Sequence, residues 1–494
     1  MISILKRLLK GSLTYGTAGF LQKIISFLLI PIYTRFLTTS DYGIVAIAAT
    51  ISSIFEIILG MGMRGAVVRH HYDYNKEPTG VREYLGTVFL FYLLISLPLV
   101  GALTIFGQPL FDRIFSEVPF HPYIRLSLWT AFFSAEGAIL LGLYRAREQV
   151  GRYVSVQFMR FLVTLGVIIF FVVVVRQGAL GKIKGGFYAG LAFSIFFLIL
   201  TVRESKVCLS LPKLRSALAF GLPLVISNLT AWIFTSADRI LLERFTSLSM
   251  VGLYNLGYKM GMVMSLIVTA INFAWIPIFY DTAKNKENAE QLLSRMFTLY
   301  TVVVSTLAIG IILFSREVIL IMSAESFHAA HTVAPVIAVG HLFQGLYYMS
   351  VAPIFYKKKT HLLPLLTGVA AAINIGLNIL WIPPYGMMGA AYATLGSFAV
   401  LFTLTHYFAQ RYYRLPYNYR KVASMGLLVA GVYFVNHTLH FQGIIVPVVE
   451  KIGIVMAFLA GMFLLKVISV QELRRVSELF KHLERNGGQS EGSG

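Results

Sequence analysis

The stretch VIIFFVVVV, Val167–Val175, decides what kind of protein this is. None of its side chains offers water a hydrogen bond, and the apolar run continues on its N-terminal side. A helix needs about 20 apolar residues to cross the hydrocarbon of a bilayer, and the segment around Val167 supplies them. The same texture recurs along the chain: of 494 residues, 57% are hydrophobic and 13% charged. A water-soluble domain carries about one quarter charged residues, so this chain lacks the polar surface to be one. No water inside a bilayer can satisfy peptide groups, so its spanning segments must be helices. The expected fold is an all-α polytopic membrane protein.

Apolar stretches and polar breaks alternate to give about 14 expected transmembrane helices, at 13–34, 43–63, 84–106, 122–143, 153–175, 186–202, 217–241, 252–279, 296–322, 332–356, 362–382, 386–409, 422–440 and 445–468. The cations fall mostly in every second break. With a cytoplasmic N-terminus, the inside segments hold Lys6, Arg7 and Lys10, then Arg64, Arg69, Lys76 and Arg82, then Arg145, Arg147 and Arg152. They continue with Arg203, Lys206, Lys213 and Arg215, then Lys284, Lys286 and Arg295, then Lys357–Lys359, then Arg411, Arg414, Arg420 and Lys421. The outside segments hold only Arg35, Arg113, Arg176, Lys182, Lys184, Arg244, Arg316 and Lys451. This is the positive-inside pattern, and it predicts a multi-pass protein of the cell (inner or plasma) membrane with both termini cytoplasmic. The net charge of +20 is thereby accounted for as topology, and no nucleic-acid partner is implied.

One cysteine, Cys208, excludes an intramolecular disulfide and a cysteine metal cluster. The basic start, Met1 to Lys10, precedes an apolar stretch too long for a cleavable signal, so the first span is expected to stay. Loops of at most about twenty residues leave no room for an extramembrane domain. The tail after Ile468 reads as a short amphipathic helix ending near Arg485, followed by a disordered GGQSEGSG.

An internal repeat is visible. Arg35-Phe36 is followed by Gly43 at the same distance as Arg244-Phe245 by Gly252, and Thr38 and Ser40 fall opposite Ser247 and Ser249. Each copy sits at the outer end of the first span of a six-span block, and transporters are commonly built from two such repeats. The expected domains are residues 1–203 and 204–412 as six-helix lobes, 413–468 as two further transmembrane helices, and 469–494 as a cytoplasmic tail.

Three segments carry a resemblance: IPIYTRFLTTSDYGIVAI (Ile30–Ile47), LPLVISNLTAWIFTSADRILLERFTSLSMVGLYNLGYKM (Leu222–Met260) and NILWIPPYGMMGAAYATLGS (Asn378–Ser397). In order and spacing they resemble the polysaccharide biosynthesis transporters, which include the O-antigen flippases. The wider superfamily exports multiple drugs, oligosaccharidyl lipids and polysaccharides. The resemblance implies two six-helix lobes in a V, two extra C-terminal helices, and alternating access. It also implies export of a polyprenyl-pyrophosphate-linked oligosaccharide to the outer leaflet. Expected partners are that lipid-linked substrate, membrane lipid and polysaccharide assembly proteins, with the chain itself a monomer.

Charges inside hydrocarbon cost a few kcal/mol each and by default face a cavity. The basic candidates are Lys23, Arg125, Arg160, Arg239 and Lys259, and the acidic ones are Glu56, Glu136 and Asp238. The basic excess suits a pyrophosphate, whose oxygens a guanidinium binds in bidentate fashion. Lys23 lies near mid-span, where snorkelling is hardest. Arg160 is open to either a cavity or an interfacial reading, and Arg125 lies close enough to an outer loop to snorkel. Glu56 is a candidate for H⁺ or Na⁺ coupling or for an ion pair with Lys23. Glu136 is a coupling candidate or half of a structural ion pair. Asp238 and Arg239 lie within about a turn of a helix end and point about 100° apart, so each is expected to find another partner. Asp238 reads as a gate residue, with Arg239 and Lys259 at the outward mouth. Gly221 and Pro223 mark a hinge or a static kink at the start of the second block. Tyr15, Tyr33, Trp275, Tyr280 and Trp381 read as interfacial belts.

No phosphate loop of the G-x-x-x-x-G-K-[ST] type is present. Neither His70-His71 nor the His328/His331 pair suggests zinc, and no cofactor is expected beyond a coupling ion. The chain does not read as an enzyme. A cation-coupled multidrug exporter is the alternative within transport, though its cationic substrates would be repelled by a basic cavity. A membrane-embedded polysaccharide polymerase or ligase typically carries a large external loop, which this chain lacks.

Overall fold

The computed structural model describes residues 21–74, 79–285, 287–438 and 445–464. The expected tail helix and disordered C-terminus, Tyr15, and the first residues of the first span lie outside these. The helices in chain order are α1 (Ile30–Phe36, preceded by helical turns over 21–28), α2 (Thr39–Gly60), α3 (Met63–Tyr74), α4 (Gly80–Phe106), α5 (Gln108–Ile114), α6 (Arg125–Ala146), α7 (Val150–Ile169) and α8 (Gly178–Glu204). They continue with α9 (Leu211–Phe245), α10 (Leu248–Gly261), α11 (Val263–Asn285), α12 (Ala289–Met322), α13 (Val333–Tyr356), α14 (Leu362–Tyr412), α15 (Tyr419–Thr438) and α16 (Ile445–Leu464). Among the described residues there is no strand, as the absence of water from hydrocarbon requires.

Among the described residues, ten helical stretches are long and apolar enough to cross a membrane. The longest, α14, runs for 51 residues. At about 1.5 Å per residue it would be more than twice as long as a bilayer core is thick. It therefore folds back. Gly386, just after Pro383-Pro384, takes φ +55°, a left-handed conformation that a β-carbon disfavours. Beyond the bend, Ser397 Oγ accepts a hydrogen bond from Asn374 Nδ2 at 2.7 Å, which a straight helix would place some 35 Å away. The two expected spans 362–382 and 386–409 are thus the arms of one hairpin, while α1, α15 and α16 overlap three more.

The chain forms two compact units. One gathers residues up to 259 with 317–333 and 363–397; the other gathers 260–316, 334–362 and the residues from 398 onward. In the first, the buried middle of the bundle is α6, rich in Ala and Gly. In the second, Trp275, Phe279, Phe297, Leu342 and Leu346 form the apolar core. Tyr33 and Trp275, expected in an interfacial belt, are 8% and 5% exposed, and the Trp275 indole donates to the Met349 carbonyl at 3.3 Å. Hydropathy places a residue along a span but does not say which side of the helix it is on.

The two copies of the sequence repeat meet inside the first unit. Helix α2 starts from a capping box, in which Thr38 Oγ1 accepts from Asp41 N at 3.0 Å and Asp41 Oδ2 from Thr38 N at 3.0 Å. Helix α10 starts from Ser247, whose Oγ likewise accepts from the third helical residue, Met250 N, at 3.3 Å, though Met250 has no carboxylate to return the bond. A β-carbon on Gly43 would lie 1.9 Å from the Leu248 carbonyl oxygen, and one on Gly252 would lie 2.0 Å from that of Thr39. Each glycine therefore presses on the residue four before the other. Ser249 Oγ donates to Thr39 Oγ1 at 2.8 Å across the contact. Only a residue without a side chain allows backbones this close.

Gly252→Val should separate these helix starts at a cost of about 1–3 kcal/mol, typical of overpacking. In a Cys208→Ser background, a Thr39→Cys/Ser249→Cys pair should form a disulfide in oxidised membranes, and adding Gly252→Val should prevent it. Failure of the first pair to cross-link would contradict the reciprocal contact.

Candidate functional site

Helices α2, α6, α7 and α8 bring five polar side chains together in the first unit. Glu136, on α6, is 2% exposed and accepts a hydrogen bond from the Ser194 hydroxyl of α8. Arg160 of α7 donates from Nη2 to Ser134 Oγ, one turn-face away on α6, at 2.9 Å. Its guanidinium lies within electrostatic reach of both Glu136 and Glu56, and Glu56 is also within reach of Arg64. The side chain of Glu56 is exposed, that of Arg160 half-buried, and Glu136 is enclosed. The three residues picked out separately from the sequence thus belong to one cluster graded from open to buried. Neither carboxylate forms a contact ion pair with Arg160 among the described residues. Ser134 and Ser194 gave no signal because a serine in an apolar span is unremarkable in sequence.

The Asp238–Arg239 pair is built differently from expectation. Both are buried, at 1% and 7% exposure, and Arg239 Nη1 donates to Asp238 Oδ1 at 2.8 Å. Adjacent Cβ atoms do diverge, but the long arginine side chain curls back over one turn and closes the gap. Its Nη1 also donates to the Thr235 carbonyl, and Nε reaches Asn255 Oδ1 at 3.5 Å. The second oxygen of Asp238 accepts from the Tyr254 hydroxyl. The guanidinium lies 4.3 Å from the centre of the Tyr258 ring and 5.6 Å from that of Tyr254. Partners spaced 15–16 and 19 residues along the chain, on α10, thus complete what α9 begins. Removing one member of such a buried pair typically costs about 3–5 kcal/mol, because the other charge is left uncompensated.

A third group was only half seen in the sequence. Lys259 Nζ donates to Tyr42 Oη at 2.9 Å and lies 4.8 Å from the centre of that ring. Lys182, counted from sequence only as an outside charge, lies 5.4 Å from the same ring centre and 4.0 Å from that of Tyr33. Asp41, one turn from Tyr33's helix, is committed to its cap and to Ala179 N at 3.2 Å. Among the described residues no carboxylate is in contact with either lysine. Lys23 and Arg125 are both exposed and outside these three groups. Gly221 packs against the break between α2 and α3, where its β-carbon would lie 2.5 Å from the Met61 carbonyl oxygen, while Pro223 sits within a continuous α9. The α14 hairpin adds a further set, Asn374, Asn378, Thr394 and Ser397, all fully buried, with Asn378 Nδ2 donating to the Asn374 carbonyl at 2.8 Å. Single amides and hydroxyls in apolar spans gave no signal until the fold-back brought them together.

Comparison with known proteins agrees with this architecture. Residues 8–283, more than half of the chain, match the family described as polysaccharide biosynthesis protein. The chain is 22% identical over 402 residues to Lsg locus putative protein 1 of Haemophilus influenzae, covering 78% of this chain and 95% of that one. It is 22% identical over 429 residues to the probable low-salt glycan biosynthesis flippase Agl15 of Haloferax volcanii, covering 84% and 87%. Among solved structures it is similar to the lipid II flippase MurJ in an inward closed conformation, with TM-score 0.71, 15% identity and coverage of 93% of this chain and 100% of that one. It is also similar to an inward-facing multidrug resistance MATE family transporter, with TM-score 0.63, 16% identity and coverage of 81% and 94%. The fold is thus that of the MurJ and MATE transporters, and the chain is a multi-pass membrane protein that belongs to the polysaccharide biosynthesis protein family.

Proposed function

We propose that the protein is a flippase that moves a polyprenyl-pyrophosphate-linked oligosaccharide from the cytoplasmic to the outer leaflet of the cell membrane by alternating access. The observation that carries this reading is the pair of ammonium groups, Lys182 and Lys259, that share the Tyr42 ring without a carboxylate in contact. Two cations left unneutralised beside spanning helices favour an anionic ligand. An oxygen bearing unit charge about 4 Å from either would gain about 4 kcal/mol at an effective dielectric of 20. A cationic drug would meet repulsion of similar size, which disfavours the multidrug exporter. Lys23, exposed on the first span, and Arg160 supply further positive charge for the head group, while the polyprenyl chain stays in lipid. Arg239, its donors engaged by Asp238, Asn255 and Thr235, suits a gate better than a ligand contact. The Gly43–Gly252 contact is the seal that must part for release, with Gly221 and Pro223 as the hinge.

Coupling to an H⁺ or Na⁺ gradient is assigned to Glu56 and Glu136. They flank Arg160, so that taking up one cation at either changes the charge balance around the guanidinium by one unit. The carboxylate exposed to the open side would load the ion and the enclosed one would retain it.

Two outcomes follow. Lys182→Gln/Lys259→Gln should lower flipping of a fluorescent polyprenyl-pyrophosphate glycan in proteoliposomes at least about tenfold, as should Lys23→Ala or Arg160→Ala, with unchanged protein insertion; undiminished flipping by all of these would remove the cationic head-group site. Glu136→Gln and Glu56→Gln should flip at a rate indifferent to the imposed gradient. If the unsubstituted protein already ignores collapse of both the proton and the sodium gradients, the coupling assignment is wrong.

A further inference from the structure

We infer that the second unit binds the phosphate groups of anionic phospholipids at a basic rim formed by the α13–α14 and α14–α15 turns. Lys357, Lys358 and Lys359 occupy the first turn and Arg411, Arg414 and Arg420 surround the second, all exposed. The turns are neighbours. Lys357 Nζ lies 5.2 Å from the centre of the Tyr413 ring, Lys359 Nζ 5.8 Å from that of Tyr412, and the Tyr356 and Tyr413 rings are 5.6 Å apart.

The first unit shows what this rim would look like if the protein supplied its own counter-charge. The turn after α6 and the turn after α13 close with matching backbone bonds. Arg147, Glu148 and Gln149 donate to the carbonyls of Leu143, Arg145 and Tyr144, just as Lys357, Lys358 and Lys359 donate to those of Pro353, Phe355 and Ile354. Both middle residues are left-handed, Glu148 at φ +55° and Lys358 at +56°. That place usually belongs to glycine, yet each turn keeps a charged residue there. The charge is inverted: an acid in one, a base in the other.

The partners diverge in the same sense. Arg147 pairs with Glu204 at the end of α8, Nη1 to Oε2 at 2.6 Å. Glu83 takes both Lys206 and Lys213, at 3.0 and 2.7 Å, and Asp73 takes Arg69 at 2.9 Å. Where α8 ends in that glutamate, α14 ends at Tyr412 and is followed by Tyr413 and Arg414. Lys357 and Lys359 rest on the tyrosine faces instead of an acid. Such contacts hold an ammonium without neutralising it. Glu290 comes within electrostatic reach of Tyr413, but among the described residues no acid pairs with any of the six cations.

The anion must then come from outside the chain, and the location says which. Both turns join helices of membrane-spanning length, so the rim sits where hydrocarbon gives way to head groups, with tyrosines beside it as interfacial residues commonly are. Clusters of this size at that level attract anionic lipid.

The test uses the full chain in nanodiscs of phosphatidylcholine with increasing phosphatidylglycerol, reading the lipid retained after partial delipidation by native mass spectrometry. Wild type should retain phosphatidylglycerol about tenfold over phosphatidylcholine. Lys357→Ala/Lys358→Ala/Lys359→Ala should bring the ratio to parity. So should Arg414→Glu, which restores an internal acid without removing the lysines, whereas Arg147→Ala should leave the preference intact. The inference fails if wild type shows no preference or if both rim variants keep it. It also fails if millimolar inorganic pyrophosphate strips phosphatidylglycerol from wild type, since the rim would then serve a soluble or substrate phosphate.

Discussion

An ionised side chain carried into hydrocarbon must find its counter-charge within the protein or draw it from outside, and the interior of this molecule is organised by how each charge meets that demand. Asp238 and Arg239 satisfy it completely, with both carboxylate oxygens and most guanidinium donors engaged and two tyrosine rings closing around them. Glu56, Glu136 and Arg160 satisfy it at a distance, opposite in sign but without a contact pair. Lys182 and Lys259 rest on aromatic faces, as do Lys357 and Lys359. The gradation from closed to open pairing separates charges neutralised by a contact partner from charges that have none among the described residues, and composition alone makes no such distinction.

Backbone contact is the second organising element. Two helix starts related by the sequence repeat, each capped by a hydroxyl at the same position, cross at a glycine. Reciprocity matters here: because Gly43 meets Leu248 and Gly252 meets Thr39, neither glycine can acquire a side chain without pushing on the other helix. The acid of each neighbouring segment serves a helix start or a loop. Glu117 Oε2 accepts from Leu248 N at 2.9 Å, and Glu243 Oε1 from Ser116 N and Glu117 N at 2.7 and 2.6 Å. Carboxylates at helix N-termini are favoured by the exposed N–H groups there. The outcome is a tightly cross-braced junction around the two glycines that the repeat marks.

The candidate site was partly legible before any coordinates. Glu56, Glu136, Arg160, Asp238 and Arg239 stood out because charge in an apolar span is costly and therefore conspicuous. Their grouping was not legible, since it depends on which face each residue occupies after several helices pack. Neighbouring Cβ atoms of Asp238 and Arg239 diverge around the helix, but a seven-atom arginine side chain reaches back across that gap. Lys182 was read as a loop charge because it lies near a span end, and Tyr42 drew no notice because a tyrosine among apolar residues is ordinary. Asn374, Asn378, Thr394 and Ser397 were invisible for the same reason.

What the sequence determined by itself was the solvent, the helices and their alternation across it, together with the duplication marked by Arg35–Gly43 and Arg244–Gly252. Those follow from local quantities: about 20 apolar residues per span, the placement of cations in the breaks, and a spacing repeated along the chain. The tertiary structure decided which charges neutralise one another and which stay open, that the two repeat copies touch, and that α14 doubles back at Gly386. These are properties of residues hundreds of positions apart brought within a few ångströms, and no local signal in an apolar chain specifies on which side of its helix a side chain will find its partner.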